Sequence, residues 1–402
     1  MHSKLLLVTL IAAATACGAP AGGKHYDPGA SDTEIKIGNI MPYSGPASAY
    51  GVIGKTEAAY FRMINETGGI NGRKITFISL DGAYSPPKTL EMARRLIEQE
   101  KVLLLFNTNG TAPALAIQKY TASKKVPHLF ISSGSSQWND PAHFPWSMGI
   151  LPEYQFEGRA YAQRILRDSP GAKIGILFQN DDFGKDYVQG MKAGLGAKAG
   201  MIVAEVSYEV SAPTVDSQVV QLQGSGADVF VIICTPKFAA QAIRKAYDIG
   251  WRPTRYLTQV SSSIAAVLVP AGLEKATGIN SLTFQKDTTS PQWADDPGVK
   301  KWREVMKTYY PNGDLRDRNT TTGFTYAEAL AHVLRKAGDN LTRDNIMKEA
   351  AHLQAVQLSL VLPGITLNTT EKDYAPIKAV QMARFDGKQW TLLDEVFHAD
   401  AK

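Results

Sequence analysis

The stretch 34–54, EIKIGNIMPYSGPASAYGVIG, sets hydroxyl-bearing and small residues between a strand and a helix. Ile35, Ile37 and Ile40 with Gly38 form a β-type run that Ser44, Gly45 and Pro46 bring to a stop. Beyond it Ala58, Ala59, Phe61, Met63 and Ile64 crowd one side of a helical period. A loop at that junction leaves backbone N–H groups and hydroxyls pointing outward, a chemistry suited to an anion. Enzyme chemistry has less to stand on. The seven histidines at 2, 25, 128, 143, 332, 352 and 398 make no HExxH and no pair at helical ligand spacing, so no metal is expected. No GxSxG elbow, no GxxxxGK[ST] loop and no GxGxxG follows the first strand, and no cofactor is expected. Asp181 and Asp182 are adjacent carboxylates better suited to capping the helix that starts near Gly184 than to acid–base work. Gly224, Ser225 and Gly226 fit a plain turn.

The elements that would position such loops alternate along the chain. Strand-like runs fall at 74–80, 102–106, 127–132, 173–178, 201–207, 228–234 and 255–258, with helical periods between them at 88–100, 112–124, 154–168, 184–199, 214–224 and 237–249. Continuous apolar strands such as LLLF and FVII predict parallel sheets covered on both faces, an α/β protein with two doubly wound lobes. The later part, 291–348, is mostly helical in pattern, and 380–397 is expected to form short strands about a turn at Asp386 and Gly387.

At 402 residues and 44% hydrophobic content the chain can bury a large core. A net charge of +5 without a basic run excludes a nucleic-acid footprint. Lys4 followed by LLLVTLIAAA is the pattern of an export signal over 1–16, ending in Ala14, Thr15 and Ala16. Cys17 follows, so the site resembles a bacterial lipobox in which Cys17 is lipidated; plain cleavage nearby is the alternative, since Ala14 stands where leucine is usual. The polar stretch to residue 32 is expected to be a tether. Cys234, in VFVIICTP, is expected to be a buried strand residue.

The SGPxxxYG loop with Tyr50, the turn Gly68-Gly69-Ile70-Asn71-Gly72 before KITF, and the later YSPPKTLEMARRLIEQ, NDDFGKDYVQG and GADVFVIICTPKFAAQAIRKAYDIGW resemble in order the type I periplasmic binding proteins. Among these the branched-chain amino acid receptors and related aromatic-acid receptors of ABC importers are the most similar group. The resemblance implies three crossings between lobes, a hinge, with lobe 1 at 33–150 plus 281–374 and lobe 2 at 151–280 plus 375–402. It implies a periplasmic or cell-envelope location, membrane permease subunits as partners and no catalysis. It places the ligand carboxylate on NTNGT, with Thr108, Asn109 and Thr111, and on SSGSS, with Ser133, Gly134, Ser135 and Ser136. Each loop follows an apolar strand and precedes a segment able to start a helix. Tyr50 and Phe183 would close on the ligand body, Thr235 would leave room where the amino acid receptors carry an aromatic, and Ser261 sits in the second lobe's TQVSSS. Trp138 would line the cleft or cover the serine loop. Two departures matter: the first lobe has no disulfide, and TQVSSS lacks the glutamate that pairs with a ligand ammonium. A buried ammonium without an opposite charge is costly, so the expected ligand is a carboxylate without an α-ammonium, aromatic or otherwise apolar. A branched-chain amino acid or amide receptor, a sensory receptor and an exported α/β enzyme are the alternatives.

Overall fold

The computed structural model describes residues 23–399; the export signal and Cys17 lie outside the described residues. Two open sheets form the frame. The first is all parallel, with Lys74–Asp81, Glu34–Met41, Leu104–Phe106, His128–Ile131 and Ser147–Gly149 in that spatial order. The second has seven strands, running from Trp390–His398 through Ala379–Phe385, Asn280–Thr283, Thr254–Leu257, Val229–Ile233 and Ile174–Gln179 to Ile202–Tyr208. Five of these are parallel; the hairpin of Ala379–Phe385 and Trp390–His398 is antiparallel and closes one edge. The α/β doubly wound architecture expected from alternation is therefore present. Every residue of Val229–Ile233 and of Leu104–Phe106 is buried, as a parallel strand covered on both faces requires.

The expected helices form with small shifts at their ends. Pro86 and Pro236 occupy first-turn positions of Pro86–Arg94 and Pro236–Asp248, where a missing N–H is harmless. Asp181 caps Asp182–Leu195, its carboxylate accepting from Gly184 N. That helix stops earlier than 199: the chain continues in 3-10 turns over Gly196–Met201. The long helix Arg318–Ala337 packs on Gly51–Glu66 beneath the first sheet, with Tyr60 and Phe324 edge to face at 5.0 Å.

Three departures follow from short or polar strands. Ser147–Gly149 and Asn280–Thr283 carry too few apolar residues to stand out, yet both are largely buried; the first pairs with His128–Ile131, and in the second Ser281 Oγ donates to Leu257 O at 2.8 Å. Since Asn280–Thr283 lies in the second sheet, a lobe boundary at 281 would cut a strand; the chain leaves that sheet after Thr283. The stretch read as a tether is in part folded: His25–Tyr26 pairs with Asn340–Leu341, and Arg73 donates to Tyr26 OH while paired with Asp339 at 2.6 Å.

Candidate functional site

Between the C-terminal ends of the two sheets lies a cavity of about 470 Å³, the place where open α/β sheets receive ligands. From the first sheet's side come Tyr50 and Ile53 at the start of Gly51–Glu66, Tyr84 after Lys74–Asp81, Asn109, Gly110 and Thr111 after Leu104–Phe106, and Ser132 after His128–Ile131. The second sheet's side supplies Leu151 and Tyr154, Phe183, Thr235, Gln259 and Val260. The start of Arg318–Ala337 supplies Arg318, Asn319, Thr322 and Tyr326.

Strand-end geometry fixes the first wall. Asn107 Nδ2 donates to Phe130 O at 2.6 Å, Asn109 Nδ2 to Ser132 Oγ at 3.1 Å, and Thr111 and Ser133 share a hydrogen bond at 2.7 Å, so the two hydroxyl-rich loops are tied together. Gly110 has φ +96, and a Cβ there would lie 2.4 Å from the ring of Tyr84, so only glycine lets that ring lie flat on the loop. The aromatic wall opposite is stacked: Tyr154 meets Phe183 edge to face at 5.1 Å and Tyr187 face to face at 4.8 Å.

Of the residues singled out from sequence, Tyr50, Asn109, Thr111, Phe183 and Thr235 line this cavity together. Thr108 is buried behind them with its hydroxyl unpartnered. Ser133, Gly134 and Ser135 line a separate cavity of about 190 Å³ beside Trp138 and Tyr374, while Ser133 Oγ stays bonded to Thr111 on the cleft wall. The backbone at Gly134 is pressed against Pro152 O and the ring of Tyr154, so a Cβ there would stand 2.2 Å from the carbonyl oxygen. Ser136 reaches across the cleft, its backbone N donating to Asp186 Oδ2 at 2.8 Å and its Oγ to Oδ1 at 3.1 Å. Ser261 is buried beside Tyr50 at the edge of the cavity, its Oγ donating to Cys234 O at 2.5 Å. Trp138 is buried over the serine loop.

The sequence reading passed over the one charged lining group. Arg318 Nη1 donates to Gln259 O at 2.9 Å, its guanidinium carbon stands 5.7 Å from the Phe284 ring centre, and Nη2 is buried without a partner. Burial presses its pKa below the usual guanidinium value. No aspartate, glutamate or lysine lines the cavity. The amide of fully buried Gln259, Tyr50 OH and Asn109 Oδ1 make no well-formed hydrogen bond, although Glu157 stands near Gln259 and Ser261 near Tyr50. Buried polar atoms are nearly always satisfied, so this concentration around one cavity marks a place for polar atoms that the chain does not itself supply. The nearest acid behind the aromatic wall is Glu157, whose Oε2 accepts from Tyr187 OH at 2.8 Å; burial pushes its pKa up to about 8, so it is mostly protonated at neutral pH. A weak signal for Arg318 was present: NTTTGFTYA after it has no charge, unusual for an exposed helix.

One further bond spans the cleft: Asp317, which caps Arg318–Ala337, accepts from Ser263 Oγ at 2.8 Å; within the first lobe Asn319 Nδ2 donates to Ala49 O at 3.3 Å. Among the described residues no cluster of metal-ligating side chains occurs and no helix is long and apolar enough to cross a membrane.

A family model described as periplasmic binding protein matches residues 34–389. The Leu/Ile/Val-binding protein homolog 7 of Brucella suis is 23% identical over 351 residues, covering 83% of this chain and 82% of that protein. In solved structures, the backbone is similar to a branched chain amino acid ABC transporter protein from Thermus thermophilus with bound valine, at TM-score 0.81 and 15% identity, covering 91% of this chain and 97% of that one. It is also similar to a fatty acid ABC transporter substrate-binding protein from Thermomonospora curvata, at TM-score 0.79 and 21% identity, covering 94% and 96%. At these identities the structural likeness speaks for the fold alone.

Proposed function

Given that the chain belongs to the periplasmic binding protein family, we propose that it captures a small carboxylate with an aromatic or apolar body between its lobes and delivers it to the membrane subunits of an ABC importer. The observation that carries this reading is Arg318, a guanidinium with a buried, unpartnered Nη2 in a cavity without any acid. An anion there meets a fork of N–H donors, the Gln259 amide and the positive end of a twenty-residue helix. The body of the ligand lies among Tyr50, Tyr84, Tyr154 and Phe183, which supply flat apolar area. No chemistry is performed on it. Capture works by closure: the ligand stabilises the closed form only to the extent that it binds that form better, and the bonds from Ser136 to Asp186 and from Ser263 to Asp317 are ones an open form would lack. The protein acts outside the cytoplasm, exported by its leader and held there, where Cys17 is lipidated, by a lipid anchor.

A branched-chain amino acid is the second reading, supported by the names of the relatives. It requires a counter-charge for the ammonium, and Glu157 would have to give up its proton inside the protein to provide one. A thermal-shift screen followed by calorimetry decides between them. Benzoate, cinnamate, phenylpropanoate and alkanoates should raise the melting temperature while leucine and valine do not. Tight binding of leucine with no heat from its des-amino analogue would reverse the assignment.

A further inference from the structure

A second cavity, of about 570 Å³, lies on the hinge side of the cleft, and Arg318 is part of the wall of both. Its walls include Ile264, Leu282, Trp293, Trp390 and Leu392, with Leu315 exposed at its rim. The polar groups around it are already engaged: Ser281 Oγ donates to Leu257 O, Thr283 Oγ1 to Gln285 O, Trp390 Nε1 to Ser262 O, and Lys286 Nζ pairs with Asp296. The two cavities therefore differ in kind. The cleft holds unpartnered amide and hydroxyl atoms; the hinge cavity offers apolar surface, and the one unpartnered buried atom on its wall is Arg318 Nη2. A single guanidinium between them serves one anion.

We propose that the two cavities form one bipartite site for an elongated acid, whose carboxylate is held at Arg318 and Gln259 and whose apolar chain runs past the guanidinium into the hinge cavity. This rests on the carboxylate reading above and extends it to ligand length. The acid's tail occupies space between Asn280–Thr283, the 285–289 connection and the Ala379–Phe385 hairpin, the segments through which the chain returns between sheets. Ligand length is thereby read at the hinge itself.

The test is a calorimetric series of unbranched alkanoates from butanoate to dodecanoate on the intact mature protein and on two variants that fill the hinge cavity, Ala383→Leu and Leu392→Trp. Thermal unfolding checks that each variant folds. Each added methylene that leaves water should tighten binding about fourfold. Wild type should gain affinity through the longer acids at one acid per chain. The filled variants should bind butanoate within about twofold of wild type and lose at least tenfold for dodecanoate. Affinity independent of length in wild type, an equal loss at every length in the variants, or two short acids bound per chain would each overturn the bipartite site while leaving the carboxylate assignment standing. If no acid of any length binds, the carboxylate reading fails and this inference falls with it.

Discussion

Replacing Arg318 by methionine separates a ligand group from a structural one. Methionine keeps much of the apolar stem and removes the charge, and with it the guanidinium's place near the Phe284 ring. Two terms act on the ligand-free fold. The Nη1 bond to Gln259 O is lost, roughly 1 kcal/mol for an average hydrogen bond and more for a charged donor. Against it, a guanidinium without an acidic partner no longer has to be held away from water, a relief of similar or greater size. The two nearly cancel, so the stability of the empty protein should stay within about 1 kcal/mol of wild type. Binding has no such compensation. A carboxylate that loses a charge-assisted fork in a largely buried cleft loses about 3 kcal/mol, a weakening on the order of 150-fold. Calorimetry with the tightest acid from the screen gives the affinity, and urea unfolding of the empty protein gives the stability. Arg318→Lys, which keeps the charge without the fork, should fall between. An affinity within threefold of wild type, or a large loss of stability with affinity intact, would refute the assignment of Arg318 to the ligand.

Asp186→Ala removes the acceptor that Ser136 uses across the cleft and Gln155 uses within its own lobe, and should weaken ligand binding by about five- to thirty-fold through faster release, seen in stopped-flow dissociation, with little change in melting temperature. Gly110→Ala meets the ring of Tyr84 and a φ of +96 together, so urea unfolding should show a loss of about 1–3 kcal/mol. Glu157 has a folded pKa raised to about 8, so the folded form holds a proton that the unfolded chain releases, and stability should fall as pH rises from about 4.5 to about 8. Glu157→Gln removes that slope: its melting temperature relative to wild type should rise steadily across this window, and a parallel pair of curves would contradict the raised pKa.

Much of the frame was legible because long apolar strands and proline-marked helix starts leave local signatures; FVII and LLLF announce a two-sided sheet before any contact is known. Ser147–Gly149 was not, being only three residues long, nor was Asn280–Thr283, whose asparagine and serine are satisfied by carbonyls of Thr254–Leu257. In the site, loops at strand ends were found by position, which is why Tyr50, Asn109, Thr111, Phe183 and Thr235 converge. Composition was silent about direction in the serine loop, where Ser133 bonds to Thr111 on the cleft wall and Ser136 reaches Asp186 in the opposite lobe. Arg318 was hidden for a different reason. It stands among aspartates and arginines in DLRDRNT, a run that looks solvated until the fold folds it inward.

The bond from Arg318 to the carbonyl of Gln259 joins the two halves through the same side chain that would greet an incoming anion. A receptor with such a clasp has an intrinsic tendency to shut while vacant, because one of its fastenings requires no guest. Arrival of cargo then adds to a self-made grip, and the weight of the vacant shut form is set by this bond together with those from Ser136 to Asp186 and from Ser263 to Asp317.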